Sequence, residues 1–380
     1  MSLPATLARM LLAPPGFLAG VLANRFRGRE LFCFFATPDM GGAERVHAQI
    51  IKAVADRNPV VVFTEPPRGA ALLPLFEAHC KPYILHPRRR SRVREYFNEA
   101  RIAAEINRAK HPVVFGAFSH FFYRLLPYFG AHVRCVDLIH NFGVEFEHFS
   151  MPVAGRLNAR VVLSQRIKSE FATLYEAFGW PESLLAHIRV IPNAVPAPAT
   201  PPDKPGGPLR VLYVGRDTPE KRVHLVAAVA AEVARRNTTA EFVAVGEIAA
   251  DLPGVRREGL VTDADALARH YDQAHVLLLT SQREGLPMAM LEAMARGCVP
   301  LVPAVGAIPE HIEAGTNGVL LDAAPADALV KQAADAIERL AKHRGALAAM
   351  GKSAHAHVRQ HCSEQQFEVA WRDVLGCADG

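Results

Sequence analysis

Two glutamates with seven residues between them form a pair whose type and spacing suggest chemistry. Glu284 lies in a polar loop after the apolar run VLLLT, residues 276–280, and Glu292 lies in the second turn of the predicted helix that follows. Pro287 stands where that helix would begin, a position that tolerates its missing N–H group, and Gly297 would end it. Free N–H groups at a helix N-terminus attract a phosphate, and carboxylates accept hydrogen bonds from vicinal hydroxyls. The turn would therefore suit a nucleotide sugar, with a diphosphate at the helix end and a hydroxyl-rich group on each side.

A simpler explanation makes both glutamates solvated surface residues, and their spacing alone favours it because Glu is common in loops and on helices. A second pair, Arg216 and Lys221, lies between the predicted strand VLYVG and a helix predicted to begin near Pro219. Two cations at such a junction can neutralise a leaving diphosphate, or they can be ordinary surface charge. The residues alone leave both explanations open for each pair.

The elements that must position these side chains alternate between strands and helices. Short apolar runs predict strands at 31–37, 59–65 and 111–118, a strand within 134–143 that ends at His140, and a strand followed by a helix within 160–171. Further strands follow in the second half of the chain. Such alternation is typical of parallel sheets covered by helices. A chain of 380 residues is long enough for two domains, and the predicted fold class is therefore α/β with two parallel-sheet domains.

The domain boundaries follow from a stretch rich in proline and glycine that shows no periodicity. We predict an N-terminal extension at 1–30, a first domain at 31–195, a linker at 196–208, a second domain at 209–362, and a C-terminal helix at 363–380 that crosses back to the first domain.

Three motifs of this chain resemble those of a known enzyme family. The segment EGLPMAMLEAMARGCVPLVPAVGAIPE resembles the E-x7-E signature of the retaining GT-B glycosyltransferases, family 4 above all. The segment GRDTPEK is similar to that family's GRxxxEK signature, and GGAE after the first predicted strand is similar to its glycine loop. The resemblance covers roughly residues 31–375. It implies two Rossmann-like, doubly wound parallel-sheet domains that face each other across a cleft.

The resemblance also implies roles for residues of the second domain. Glu284 would face the donor sugar and Glu292 would bind the ribose, while Arg216 and Lys221 would contact the phosphates. The backbone after the first glutamate would contact sugar and phosphate, at Gly285, Leu286 and Met288.

In the first domain the resemblance points to a glycine pair and a histidine. Gly41 and Gly42 match the glycine loop that faces the cleft, although a simple strand-to-helix turn would explain them without it. His140 ends a predicted strand, and the family has a histidine there, near the reactive face of the donor sugar. Strand C-termini in open α/β sheets point into the ligand crevice, but a structural histidine is the alternative.

The implied reaction moves a hexose from a UDP- or GDP-sugar to an acceptor hydroxyl with retention of anomeric configuration. The family does this without a metal, and we expect no cofactor apart from the donor. Asp263 and Asp265 spell D-x-D, which binds a metal in another glycosyltransferase class, but at a predicted helix start they are better explained by capping. The acceptor would be a saccharide or lipid-linked saccharide in bacterial surface glycan synthesis. A nucleotide-sugar-binding protein without catalysis and a sugar-nucleotide epimerase are the alternatives.

Composition bears on the partners and the compartment. Residues 1–195 carry 24 Lys and Arg against 15 Asp and Glu, whereas residues 196–380 carry 19 against 23. The first half is therefore the one expected to meet an anionic partner, and we expect no nucleic acid. Six cysteines without a CxxC pattern are typical of reduced thiols in the cytoplasm.

The N-terminal extension suggests a membrane contact. Its apolar run at 10–23 is broken by two prolines and a glycine, so it is too short to span a bilayer, and arginines flank it. An anchor on the anionic inner face of the plasma membrane explains it as well as a helix packed on the first domain or a disordered tail does. An arginine-rich segment at 88–94 could likewise grip an anionic headgroup or begin a solvated helix.

Overall fold

The computed structural model describes residues 5–23, 25–85, 92–143, 145–322 and 325–376, and side chains from residue 14 onward except those of 92–94. The chain divides into two compact units. Unit 1 comprises residues 1–162, 168–191 and 368–380, and unit 2 comprises residues 163–167 and 192–367. Much of the arginine-rich segment at 88–94 lies outside the described residues.

Unit 1 is built on a parallel sheet that has seven strands within the described ranges. Its order is β3-β2-β1-β4-β5-β6-β7, and its central strands are buried along their whole length. The strands are β1 (Leu31–Phe35), β2 (Val60–Phe63), β3 (Tyr83–Ile84), β4 (Val113–Ala117), β5 (Arg134–Ile139), β6 (Ala159–Val162) and β7 (Ile188–Val190). The helices are α1 (Ala5–Leu22), α2 (Gly42–Ala53), α3 (Leu73–Glu77), α4 (Arg92–Asn107), α5 (His120–Leu125), α6 (Phe146–Ser150) and α7 (Gln165–Ala177).

Unit 2 has the same plan, with six parallel strands in the order β10-β9-β8-β11-β12-β13 among its described residues. The strands are β8 (Leu209–Val214), β9 (Ala240–Val245), β10 (Val255–Gly259), β11 (Val276–Leu278), β12 (Val299–Pro303) and β13 (Val319–Leu321). The helices are α8 (His224–Arg235), α9 (Ala264–Gln273), α10 (Met288–Ala295), α11 (Ile308–His311), α12 (Ala326–Lys342), α13 (Arg344–His361) and α14 (Glu364–Val374). The end of α14 packs in unit 1, where Trp371 contacts Phe115 at a ring-centroid distance of 5.2 Å.

Both sheets therefore reverse their strand order once, which confirms the expected pair of doubly wound α/β domains. The reversal falls between β1 and β4 in unit 1 and between β8 and β11 in unit 2. In such sheets the crevice outside the carboxyl ends of the strands at this point is where ligands bind. A ligand-binding site is therefore expected in the loops that follow these four strands.

One predicted helix begins later than expected. The residues after Pro219 form a short 3₁₀ turn, Pro219–Lys221, and α8 starts only at His224. Arg222 adopts the left-handed conformation with φ 48°, which a continuous helix does not allow. A helical turn does begin at Pro219 as predicted, but the left-handed residue Arg222 separates this turn from α8.

Helix α1 packs along α4 through two glycines. A Cβ atom at Gly16 would lie 2.6 Å from the carbonyl oxygen of Phe97, and one at Gly20 would collide with the carbonyl oxygen of Arg101. Small residues allow two helix backbones to approach this closely. The packed helix predicted for the N-terminal extension is thus confirmed, and this packing does not test the predicted contact with a membrane. Among the described residues, no helix is both long and apolar enough to cross a membrane.

We predict that Gly20→Val destabilises unit 1 by roughly 1–3 kcal/mol, because overpacking forces the two helix backbones apart. Both tryptophans of the chain, Trp180 and Trp371, lie in unit 1. Denaturant unfolding followed by tryptophan fluorescence therefore reports on this unit. Gly69→Ala is the matched control, since a Cβ atom there meets nothing within 4 Å. Equal midpoints for the two variants would contradict the close packing of α1.

Candidate functional site

The described site residues of unit 2 follow the two strands that flank its reversal point. Arg216 and Lys221 come after β8, and Glu284 comes after β11. Because β8 and β11 are parallel neighbours, their carboxyl ends meet at one edge of the sheet. The two signatures that lie more than sixty positions apart in the sequence are thereby brought to the same edge.

An ion pair joins the two loops. The ammonium group of Lys221 donates to both carboxylate oxygens of Glu284, at 2.6 and 2.8 Å. Ser281 adds a third hydrogen bond to the same carboxylate at 2.5 Å. The side chain of Glu284 is only 7% exposed, and that of Lys221 is 21% exposed. Because a buried charge needs a paired and hydrogen-bonded partner, the cation and the acid position each other.

Backbone contacts fix the same two loops. The hydroxyl of Thr280 donates to the carbonyl oxygens of Lys221 and Arg222 at 2.9 and 3.1 Å. The guanidinium of Arg222 donates in return to the carbonyl of Thr280 at 2.8 Å. The amide of Gln282 also donates to the carbonyl of Glu220, at 2.7 Å. These hydrogen bonds join the two loops and so hold Lys221 and Glu284 in position.

Tyr213 orders the loop that carries Arg216. Its hydroxyl donates to the carbonyl oxygen of Arg216 at 3.1 Å. Burial first, and then the negative charge of Glu284, raise the pKa of Tyr213, so the hydroxyl stays protonated as a donor. The side chain of Arg216 itself is exposed. The guanidinium of Arg216 is thus exposed to solvent on an ordered loop, where it is well placed to bind an anionic ligand.

The loop after Glu284 is held from two sides. The amide of Ala307 donates to the carbonyl of Gly285 at 2.9 Å. The side-chain amide of Asn193 donates to the carbonyl of Leu286 at 2.8 Å, and Asn193 is 3% exposed. A Cβ atom at Gly306 would collide with the carbonyl of Glu284, so only glycine fits.

Helix α10 begins immediately after this loop. Pro287 is its N-cap in an extended conformation, and Met288 is its first residue, so the helix begins one residue after the predicted start. Gly297 follows the C-cap with φ 71°, which ends the helix in the predicted way. The first-turn N–H groups of a helix lack partners within it. Gly285, Leu286 and Met288 thus stand in the loop and first turn at the N-terminus of α10.

Glu292 projects from the second turn of α10 and is half-buried. Its carboxylate accepts a hydrogen bond from the hydroxyl of Tyr271 at 2.8 Å. Tyr271 is 2% exposed and belongs to α9. The Tyr271 hydroxyl holds the carboxylate in one orientation. Nearby, the carboxylate of Asp263 caps α9 by accepting from the amide of Ala266 at 2.7 Å, as expected from the sequence.

Unit 1 holds the remaining predicted residues. Gly41 is the N-cap of α2 and Gly42 is its first residue, directly after the loop that leaves β1. His140 follows β5 and is 4% exposed. Its Nε2 atom lies 2.9 Å from Nε2 of His47, a buried residue of α2. The helix that starts at the glycine pair therefore carries a direct partner for His140.

Aromatic rings enclose this histidine pair. His47 stacks on Phe35 at 4.4 Å between ring centroids, and His140 stacks on Phe118 at 4.9 Å. Phe118 has φ 50°, a strained conformation for a residue with a side chain, directly after β4. This backbone conformation, at the reversal point of the sheet, directs the ring of Phe118 onto His140.

The contact between the two histidines fixes their tautomers. A separation of 2.9 Å between two ring nitrogens requires that one ring donates and the other accepts. The Nδ1 atom of His47 is buried with no partner among the described residues. An orphaned N–H group is rarer in proteins than an orphaned acceptor. We therefore assign the hydrogen of His47 to Nε2, which leaves His140 with its hydrogen on Nδ1.

Both rings are neutral in the folded protein. Burial lowers the pKa of His140 to about 3. Burial, followed by the charge of His140, lowers the pKa of His47 well below its ordinary value. His140 is therefore suited to hydrogen bonding and not to carrying a positive charge at neutral pH.

These shifts predict that unit 1 loses stability in acid. The unfolded histidines take up protons as the pH falls below about 6.5, whereas the folded ones resist. The free energy of unfolding should thus fall by up to about 1.4 kcal/mol per pH unit for each ring. The loss begins near pH 6.5 and continues toward the folded pKa.

Denaturant unfolding between about pH 7 and pH 5, followed by tryptophan fluorescence, tests this prediction. The double variant His47→Gln/His140→Gln should show a shallower slope than the unchanged protein. His148→Gln, at an exposed position of α6, should leave the slope unchanged. A double variant as acid-sensitive as the parent protein would show that this pair is not what titrates.

Sequence reasoning missed four supporting residues: His47, Asn193 as a loop support, Tyr213 and Tyr271. His47, Asn193 and Tyr271 act on residues distant in the chain, which no local pattern reveals, whereas Tyr213 bonds a residue only three positions further on. His47 offered the only signal, because it lies one helical turn after the GGAE motif.

Comparison with known proteins adds a family match in unit 2. Residues 208–343 match the family described as glycosyl transferases group 1. N-acetyl-alpha-D-glucosaminyl L-malate synthase of Bacillus anthracis is 29% identical over 111 residues, which are 29% of this chain and 29% of that protein. This match thus spans less than a third of the relative's length.

Solved structures resemble nearly the whole chain. HepE of Anabaena in complex with UDP has a TM-score of 0.70 at 17% identity, over 92% of this chain and 100% of HepE. The lipopolysaccharide outer core galactosyltransferase WaaB has a TM-score of 0.69 at 18% identity, over 92% of this chain and 99% of WaaB. Sucrose-phosphate synthase from Thermosynechococcus elongatus has a TM-score of 0.69 at 17% identity, over 92% and 100%.

These likenesses establish the GT-B fold. The family match over residues 208–343 adds support for a glycosyltransferase.

Proposed function

We propose that this protein is a retaining, metal-independent hexosyltransferase that uses a nucleotide diphosphate sugar. The observation that carries the proposal is the buried Lys221–Glu284 pair at the carboxyl edge of the unit 2 sheet, immediately before the N-terminus of α10. A cation, a fixed carboxylate and a helix N-terminus in succession offer what a diphosphate with a sugar attached requires.

Each residue of unit 2 has a role in this proposal. The carboxylate of Glu292, oriented by Tyr271, binds the ribose hydroxyls. Arg216 and Lys221 bind the diphosphate, helped by the backbone of Gly285, Leu286 and Met288 at the helix end. Glu284 hydrogen-bonds the hydroxyls of the donor sugar.

Unit 1 contributes the donor-side residues Gly41, Gly42 and His140. The tautomer assigned above gives His140 an Nδ1–H donor for a sugar hydroxyl. The glycine pair offers a backbone without side chains, which lets a ligand approach closely. Because the first half of the chain is basic, this unit is also the one proposed to receive the acceptor.

The proposed chemical step is a front-face displacement. The acceptor hydroxyl forms a bond to the anomeric carbon on the face from which the diphosphate leaves. The bond between the anomeric carbon and the diphosphate oxygen breaks, and the acceptor proton passes to that oxygen. Arg216 and Lys221 stabilise the charge that develops there, and removal of one such cation is expected to raise the barrier by about 3 kcal/mol.

A uridine nucleotide is the donor to test first. HepE was solved with UDP and with UDP-glucose, and the Bacillus anthracis relative is named an N-acetyl-alpha-D-glucosaminyl L-malate synthase. We propose a saccharide or lipid-linked acceptor in bacterial surface glycan synthesis, because WaaB is a lipopolysaccharide galactosyltransferase. Such a reaction would take place on the cytoplasmic side of the plasma membrane.

The proposal predicts that Glu292→Ala and Arg216→Ala weaken donor binding and slow hydrolysis. Thermal stabilisation and slow hydrolysis are measured with UDP-, GDP- and ADP-sugars in parallel. We expect one donor to stabilise the protein and to be hydrolysed, with both variants losing at least about tenfold in affinity, since the contacts removed are charge-assisted. Glu313→Gln and Arg269→Ala, at exposed positions of unit 2, are the matched controls.

The outcomes separate the proposal from its alternatives. Binding without any turnover, even with a panel of saccharide acceptors, would indicate a binding protein. Release of an altered sugar and free nucleotide without an acceptor would indicate an epimerase. Equal binding by Glu292→Ala and the parent protein would refute the site assignment itself.

A further inference from the structure

Four large apolar side chains are exposed on one face of α1. Phe17 is 41% exposed, Leu18 63%, Val21 39% and Leu22 75%. The i, i+1, i+4, i+5 spacing places them on a single helix face. The opposite face, with Gly16 and Gly20, is buried against α4. These four residues are here named the α1 apolar face.

This concentration is unusual for the molecule. Only five other large hydrophobic residues among the described ones are comparably exposed, and they are scattered over both units. Single exposed apolar residues are ordinary, but a contiguous group usually marks an interaction surface. An interaction partner must therefore be sought for α1 in particular.

Cations follow directly after the apolar face. Arg25, Arg27 and Arg29 are all exposed and lie within seven residues of Leu22. A cavity of about 220 Å³ opens at this end of α1. Arg27 and Arg29 line it, together with Arg108, Lys110, Glu30 and Glu105.

The two acids of the cavity do not cancel its positive charge. The carboxylate of Glu105 is 3% exposed and is engaged by the amide of Phe26 at 2.8 Å and by Arg101 at 3.8 Å. Four basic residues against two acids leave the cavity positive.

Arg108 ties the end of α1 to α4. Its guanidinium donates to the carbonyls of Val21 and Ala23 at 2.5 and 2.8 Å. The apolar face and the basic cavity therefore belong to one fixed piece of unit 1.

We infer that this surface docks on an anionic phospholipid bilayer, with the α1 apolar face inserted at the headgroup boundary and the arginines on the phosphates. A partly apolar helix flanked by cations is the pattern of an interfacial helix, and the charge of the cavity is complementary to lipid phosphate. The packing of α1 on α4 does not oppose this, since it directs the apolar residues outward. The inference is independent of the proposed transferase activity.

Vesicle flotation of the full chain tests this docking. The protein should float with vesicles of phosphatidylglycerol and phosphatidylcholine, and release with added salt, but not float with phosphatidylcholine alone. Leu18→Ser/Leu22→Ser should lower the partition coefficient about tenfold or more, because each leucine contributes appreciable apolar area. Leu75→Ser, a 49% exposed leucine of the same unit, should have no effect.

The electrostatic part is tested separately. Arg25→Gln/Arg27→Gln should lower binding to anionic vesicles by about fivefold per arginine, while Arg68→Gln, an exposed arginine of unit 1, should not.

Thermal melting checks that all variants remain folded, and light scattering reports their oligomeric state. The inference is overturned if the parent protein ignores anionic vesicles or if the leucine variant binds them equally well. A loss of self-association in the leucine variant with unchanged vesicle binding would identify a second copy of the chain as the occupant instead.

Discussion

The ion pair between Lys221 and Glu284 is the interaction on which the arrangement of the candidate site depends. It joins the loops after β8 and β11, and it supplies a cation to a carboxylate side chain that is only 7% exposed. Removing one partner of a buried pair leaves the other charge uncompensated, at a cost of about 3 kcal/mol or more. A site that needs a cation for phosphate and an acid for sugar hydroxyls thus obtains both from one pair.

The strand order explains why this pair lies where it does. In both sheets the strand order reverses after the first three strands in space. The loops at this reversal carry Lys221 and Glu284 in unit 2 and Phe118 in unit 1. His140 comes one strand further along the unit 1 sheet. Each unit therefore collects residues from distant parts of the sequence at the carboxyl edge of a parallel sheet, which is the general place for ligands in this class of fold.

Much of this followed from the sequence because the signals are local. Apolar runs predicted the buried strands, and Pro287 and Gly297 marked the ends of α10. The sequence did not predict the break after Lys221, since only the tertiary contacts of Arg222 stabilise a left-handed residue there. It likewise gave no sign that His47 faces His140, because that contact joins a helix to a distant strand end.

Calorimetric titration with UDP of the parent protein, Lys221→Met and Glu284→Gln tests the account most directly. If Lys221 serves the phosphates and Glu284 the sugar, Lys221→Met should lose UDP binding by at least about tenfold, as expected for a charge-assisted contact. Glu284→Gln should still bind UDP while losing transfer of the sugar. Parental UDP affinity in a folded Lys221→Met variant would contradict the account, because the pair would then be structural and the diphosphate would lie elsewhere.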